Sequence, residues 1–325
     1  MQHRTQIALG VLCGVWLAGG SLPAQAQQIP SSYQEVLNYL GKTGDYKDNV
    51  LKVNIPRNDI KVSVDGVATP TPFGFGGWVA MTKNRAGSDV MMGDLVLTQD
   101  EVNPVMSALL DHGLEVTALH NHFFWEEPRM YYMHVHGMGA SADLARRVKP
   151  ALDLIGHVPT HSQPSDPPAV PGKLDTAKIA QIVGHRGEEA GPVYKITVGR
   201  DDLKLVDMGA PVDARMGLNT WAAFYGTDAN AEVAGDVAML GNEITPVLKA
   251  LRSHGLDVVA IHQHMTDTQP MVFFLHYWGR GPADKLASSF RAALDQLGKE
   301  DPAPHTHPVS SVRAQDAVPS LEAAP

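Results

Sequence analysis

At 325 residues, with 44% hydrophobic and 19% charged positions, the chain has the composition of a folded protein with room for two domains. A formal net charge of -9 leaves no electrostatic footprint for nucleic acid, and no Lys/Arg cluster marks an anionic membrane surface.

Residues 1–26 read as a signal peptide. Ile7 to Ala18 form a short apolar core, and Ala24-Gln25-Ala26 fits the small-x-small cleavage pattern, which puts the mature start at Gln27. The apolar run is too short to span a bilayer comfortably, and no second one of spanning length follows. The expectation is a periplasmic or secreted protein with no transmembrane span in the mature chain. The single cysteine, Cys13, lies inside the leader's apolar core. Leu12 before it is a poor lead-in for lipid attachment, and no disulfide or thiolate chemistry is left for the domains.

From there the chain matches itself. Lys52, Arg57, Asp59, Gly66 and Trp78 recur 143 positions later as Lys195, Arg200, Asp202, Gly209 and Trp221. From Gly93 the offset becomes 142. Gly93-Asp94, Glu101, Pro104, His120, His122, His134 and Gly156 then match Gly235-Asp236, Glu243, Pro246, His262, His264, His276 and Gly298. The division is copy one at 27–157, a stiff Pro-rich linker at 158–172, copy two at 173–298 and a disordered tail at 299–325.

Each copy is expected to open with a short helix, near Tyr33–Leu40 and Thr176–Val183. Extended segments rich in β-branched residues follow, such as Leu51–Ile55 and Ile60–Val64. A helix comes next, marked by Val102, Val105 and Leu109 and answered by Ile244, Val247 and Leu251. Glycine at Gly113 and Gly255 ends it. Asn103-Pro104 and Thr245-Pro246 read as N-cap plus first-turn proline, and Glu101 and Glu243 as structural first-turn acids. Two strands follow, 115–122 and 130–136 (257–264 and 272–278), then a closing helix that stops at Gly156 or Gly298. The class is α+β: a tandem duplication of a mixed or antiparallel sheet unit with helices packed on it.

The chemistry-bearing pattern is His-x-His near the end of one strand with a third histidine twelve positions on. Residues i and i+2 of a strand share a face, so His120 and His122 project together. A hairpin centred near Glu127 would set His134 opposite His120, converging three imidazoles with a fourth position open. His262, His264 and His276 repeat the pattern. These six are the candidate metal ligands, for zinc or another transition metal; flanking Met130, Met133 and Met138 leave copper in play. A buried polar network inherited from one ancestor is the bland alternative.

The copies differ where chemistry would be decided. Glu126-Glu127 becomes Thr268-Gln269, His136 becomes Trp278, Arg129 becomes Met271 and Asn121 becomes Gln263. Glu127 or Glu126 could serve a metal-dependent hydrolase or lyase as general base, which makes copy one the expected working site. The third reading is a non-catalytic module that binds an envelope component or small molecule. Trp78 and Trp221 read as core. No G-x-S-x-G elbow, phosphate loop or dinucleotide-binding turn is present.

At Ala118-Leu119-His120-Asn121-His122, Pro128-Arg129, Met133-His134 and Gly93-Asp94-Leu95-Val96-Leu97, the chain resembles the LppY/LpqO family of exported bacterial proteins and lipoproteins. Ala260-Ile261-His262-Gln263-His264 and Phe274-Leu275-His276-Tyr277-Trp278-Gly279 continue it in copy two. The resemblance implies export and a repeated unit. That family is a domain of unknown function, so the resemblance supplies no reaction and no catalytic residue.

Overall fold

A computed structural model describes residues 28–158, 172–266 and 268–299. The expected signal peptide, nearly all of the linker and nearly all of the tail lie outside the described residues.

Copy one runs α1 (Ser31–Leu40), β1 (Asp45–Lys47), β2 (Val50–Pro56), β3 (Val62–Val64), β4 (Val67–Thr69), β5 (Gly76–Lys83) and β6 (Asp89–Thr98). It continues with α2 (Gln99–Asp111), β7 (Glu115–His120), β8 (Glu126–Glu127), β9 (Met130–Gly139) and α3 (Ser141–Leu152). Copy two runs α4 (Thr176–Val183), β10 (Glu188–Ala190), β11 (Val193–Gly199), β12 (Leu205–Asp207), β13 (Ala210–Val212) and β14 (Asn219–Gly226). Then come β15 (Ala231–Leu240), α5 (Ile244–Ser253), β16 (Asp257–His262), β17 (Val272–Gly281) and α6 (Ala283–Leu294). Each copy builds one six-stranded sheet, ordered β1-β2-β5-β6-β9-β7 and β10-β11-β14-β15-β17-β16. Every pairing within them is antiparallel. The class is α+β.

Alternation along the strands sorts side chains to two faces. Leu51, Val53, Val79, Met81, Met91, Leu95, Met133 and Val135 point to one, where they pack under Val36 and Leu40 of α1, Val105 and Leu109 of α2, and Leu144 and Val148 of α3. Copy two repeats this core around Ile196, Val237, Leu275 and Phe290. The opposite faces of the two sheets meet. Val50, Ala80 and Met92 pack with Leu205, Met216 and Phe274, while Val64, Phe75 and Tyr132 pack with Ala223, Tyr225 and Trp278. The layers therefore run helices, sheet, sheet, helices, with a seam between the copies.

Gly93, central in β6, is fixed by packing: a Cβ there would lie 2.8 Å from Val135 Cγ1, 2.9 Å from Val79 Cγ1 and 3.0 Å from the Trp78 carbonyl oxygen. Helix α2 begins earlier than expected. The Glu101 carboxylate reaches back to the Thr98 backbone N–H at 2.7 Å, so Thr98 is the N-cap and Asn103-Pro104 lies inside the helix. Gly113 follows it at φ +69°, a left-handed turn that glycine adopts without penalty.

Arg57, Glu101 and Gly156 recur because they form one clamp. Buried Arg57 donates to the Val96 carbonyl at 2.7 Å and to both Glu101 oxygens at 2.6 and 3.0 Å. Glu101 also accepts from the Gly156 N–H at 2.6 Å. Arg200, Glu243 and Gly298 repeat the arrangement. The structural reading of the two glutamates holds.

Candidate metal centre

The seam faces of β2, β5, β6, β9 and β7 carry a polar row. Trp78 pairs with Asn54 and Asp94, Asp94 pairs with His134, and Lys52 lies one pleat along on β2. Copy two has Lys195, Trp221, Asp236 and His276 in the same places.

The register at the histidines differs from the simple hairpin. His134 sits opposite Ala118, and His120 opposite Tyr132, so His120 and His134 are diagonal rather than paired. The cause is the connection. Glu126 and Glu127 are drawn away to pair with Val64 and Ser63, so β7 and β9 are not joined by a tight turn. A bulge between Val116 and Ala118 then puts Val116 beside the helix-side core and leaves Ala118 and His120 on the seam face. The bulge residue Thr117 donates its hydroxyl to the His264 carbonyl of the other copy at 2.6 Å.

The largest departure from expectation is that the two triads are not separate. The copies lie face to face, and their histidines interleave. Ring centroids stand 3.7 Å apart for His120 and His262, 3.6 Å for His122 and His276, and 3.8 Å for His134 and His264. Tyr132 stacks on His122 at 3.3 Å and Phe274 on His264 at 3.4 Å, so each is held from behind by an aromatic ring. Three groupings bring ligand nitrogens within 4.8 Å of one another: His120, His134 and His262; His120, His122 and His276; and His262, His264 and His276. Two of the three mix residues from both copies. Each pair of groupings shares one histidine, so they are alternative subsets of one centre.

The geometry suits a metal. Nε2 of His120 and His134 are 3.0 Å apart, and those of His262 and His264 are 3.1 Å apart. In a tetrahedral site with bonds of about 2.0–2.1 Å, ligand nitrogens lie roughly 3.3 Å apart. Both ring nitrogens of buried His122 and of buried His276, and Nδ1 of His262, have no hydrogen-bond partner. A neutral imidazole always carries one N–H, and leaving it orphaned in the interior costs about 1–3 kcal/mol. Burial holds the six imidazoles neutral, the state that ligates: it lowers His120 to about 4 and His262 to about 2, and His122, His134, His264 and His276 fall well below the usual range.

The glutamates proposed as bases are not among these groupings. Glu127 is exposed on β8. Glu126 is buried, its carboxyl pushed up by burial, with Oε1 3.7 Å from Arg129 Nε and 3.4 Å from the Met130 N–H. Thr268 is buried at the equivalent place. His136 leaves the cluster to meet Asp207 of copy two at 3.2 Å, both groups buried.

The acidic groups beside the histidines are Asp94 and Asp236, marked in the sequence by their recurrence and, for Asp94, by the segment that carries the family resemblance. Burial pushes Asp94 up to about 7 against the attraction of Lys52 and Lys195, and raises Asp236 well above the carboxylate range with the Asp94 charge adding to the effect. Asp236 Oδ2 lies 3.9 Å from His264 Nε2, and Oδ1 of each aspartate is buried without a partner. Lys52 and Lys195, lowered to about 8 by burial, hang over Trp78 and Trp221 with Nζ 4.4 and 4.1 Å from the ring centroids.

The family described as Domain of Unknown Function (DUF1259) matches residues 34–154 and again residues 177–296. No curated protein matches the chain. Among solved structures, a trimeric bacterial microcompartment shell protein, PduB, aligns at 13% identity over 78% of this chain and 93% of its own, with a TM-score of 0.19. EtuB from Clostridium kluyveri aligns at 10% identity over 79% and 91%, with a TM-score of 0.21. Likenesses this loose carry nothing about function.

Proposed function

We propose that this chain, which belongs to the DUF1259 family and carries its domain twice, is an exported protein that holds a transition metal at the seam between its copies. The supporting observation is the interleaved cluster of His120, His122, His134, His262, His264 and His276, with buried ring nitrogens that no protein group satisfies. A metal would take the lone pair of one nitrogen in each ligating neutral imidazole. Six imidazole donors suit zinc first, with copper, iron and nickel as alternatives of the same donor preference. The leader-like residues 1–26 and the likeness to LppY/LpqO proteins support an envelope location. No helix among the described residues is long and apolar enough to cross a membrane.

The test is zinc titration of chelator-treated protein beside a His120→Ala/His262→Ala/His276→Ala variant. Tight binding by wild type and weak binding by the variant is the expected result. Equal weak binding by both, with neither retaining metal from purification, would remove the metal and leave a binding module held together by a polar core.

A further inference from the structure

The helix sides of the two copies are not filled alike. Helix α1 buries Tyr33, Val36, Leu37 and Leu40 against its sheet. The matching positions of α4 are Thr176, Ile179, Ala180 and Val183, and only Ile179 and Val183 are buried. The edge strand changes with the helix. Tyr46 on β1, whose ring lies 5.6 Å from that of Tyr33, is replaced by exposed Glu189 on β10. Tyr33 also donates its hydroxyl to Asp89 at 2.6 Å, and sheet register puts Ala231 in the place of Asp89. Copy two has therefore lost two rings, a leucine and the acceptor that one ring needed. One substitution runs the other way: Leu51 becomes Tyr194, whose hydroxyl accepts from the Gly187 N–H at 2.7 Å. It does not close the gap. A cleft of about 580 Å³ remains beside α4 and β10, walled by Thr176, Ala180 and Tyr194 and lined also by exposed His185 and Arg186. Among the described residues neither of those two side chains has a hydrogen-bond or ion-pair partner.

We propose that this cleft binds a small aromatic carboxylate, its ring in the space that Tyr33 and Leu37 fill in copy one and its carboxylate on Arg186. Copy one shows what that space holds in this fold: an aromatic ring, 2% exposed, beside an aliphatic side chain. Apolar area buried there leaves water whether a side chain or a ligand supplies it. The size is that of a small-molecule site, roughly 300–1,000 Å³. Arg186 supplies the recognition, because its planar fork matches a carboxylate with two parallel N–H···O bonds. No side chain in the place of Asp89 accepts from a hydroxyl, so a plain phenyl group suits the cleft better than a phenol. Tyr194 belongs to the helix-side core of copy two, on the other face of the sheet from the histidines, and nothing in the proposal rests on the metal.

The experiment is calorimetric titration of the full chain with phenylpropionate, with its para-hydroxy derivative and with free phenylalanine. The proteins are wild type, Arg186→Gln, and Thr176→Tyr/Ala180→Leu, which puts the side chains of copy one back into copy two. Wild type is expected to bind phenylpropionate or phenylalanine about tenfold tighter than either variant, or more. Tighter binding of phenylpropionate would assign a simple aryl acid, and tighter binding of phenylalanine an amino acid whose ammonium group meets Glu189. No binding of either by wild type would overturn the proposal and leave a copy that has merely lost packing. Equal binding by Arg186→Gln or by the filled variant would overturn it too, and a preference for the para-hydroxy derivative would overturn the placement of the ring. Should the filled variant not fold, Arg186→Gln, a change at an exposed position, decides alone.

Discussion

Glu101→Ala should be one of the most destabilising single substitutions outside the cores. The Glu101 carboxylate is 1% exposed and accepts four hydrogen bonds: two from Arg57 and one each from the Thr98 and Gly156 N–H groups. Removing one partner of a buried ion pair costs about 3–5 kcal/mol, because the remaining charge stays buried. Asp59 still pairs with Arg57, which places the loss toward the lower end, while the lost N-cap and Gly156 bonds push it back up. For a chain of this size the change lowers Tm by on the order of 10 °C. Asp59→Ala removes three hydrogen bonds to the same arginine, but that carboxylate is 43% exposed, so solvent screens the pair and the cost is about 1 kcal/mol or less. Urea and thermal unfolding of both variants, run with chelator present, measure the contrast. Equal losses for Glu101→Ala and Asp59→Ala would refute the clamp, and so would a loss below about 1 kcal/mol for Glu101→Ala.

Metal-free protein should lose stability as pH falls from 6.5 toward 4. The native state holds His120 down to about 4 and His262 to about 2, so over that window the unfolded chain, at 6.5, binds more protons, at about 2 kcal/mol per such histidine by pH 5. Asp94, raised to about 7, works in the opposite direction, as does Asp236, but six imidazoles outweigh two carboxylates. Urea midpoints that stay flat or rise from pH 7 to 5 would contradict this. Gly93→Ala should cost about 1–3 kcal/mol, because its methyl would press on Val135, Val79 and the Trp78 carbonyl; an unchanged Tm would show that the sheet yields there.

Much of the fold was legible in the residues, because each element repeats and could be read twice. Helical spacing at Val102, Val105 and Leu109 placed α2, but its start was misread: Asn103-Pro104 resembles a cap, and only the reach of Glu101 back to Thr98 shows where the helix begins. Recurrence could not separate purpose from packing. Arg57, Glu101 and Gly156 recur because they tie the end of β2, the start of α2 and the turn after α3 together, whereas Lys52, Asp94 and Trp78 recur because they line the seam. The six histidines were visible, but their partners were not. Strand alternation says which residues share a face and nothing about which second face meets it. That is why one triad per copy was expected, with copy one as the working site, where the six histidines form one interleaved cluster, and why Glu126 and Glu127 drew attention while Asp94 and Asp236 lie beside the histidines.

The most direct test of the shared centre is the metal content of the His262→Ala/His276→Ala variant against wild type. The substitutions lie wholly in copy two and leave His120, His122 and His134 untouched, yet every one of the three groupings contains His262 or His276. Loss of essentially all tightly bound metal, with folding intact, is the predicted result. Retention of about half the metal, or of a full complement in copy one at unchanged affinity, would show that each copy binds on its own and would contradict the composite centre.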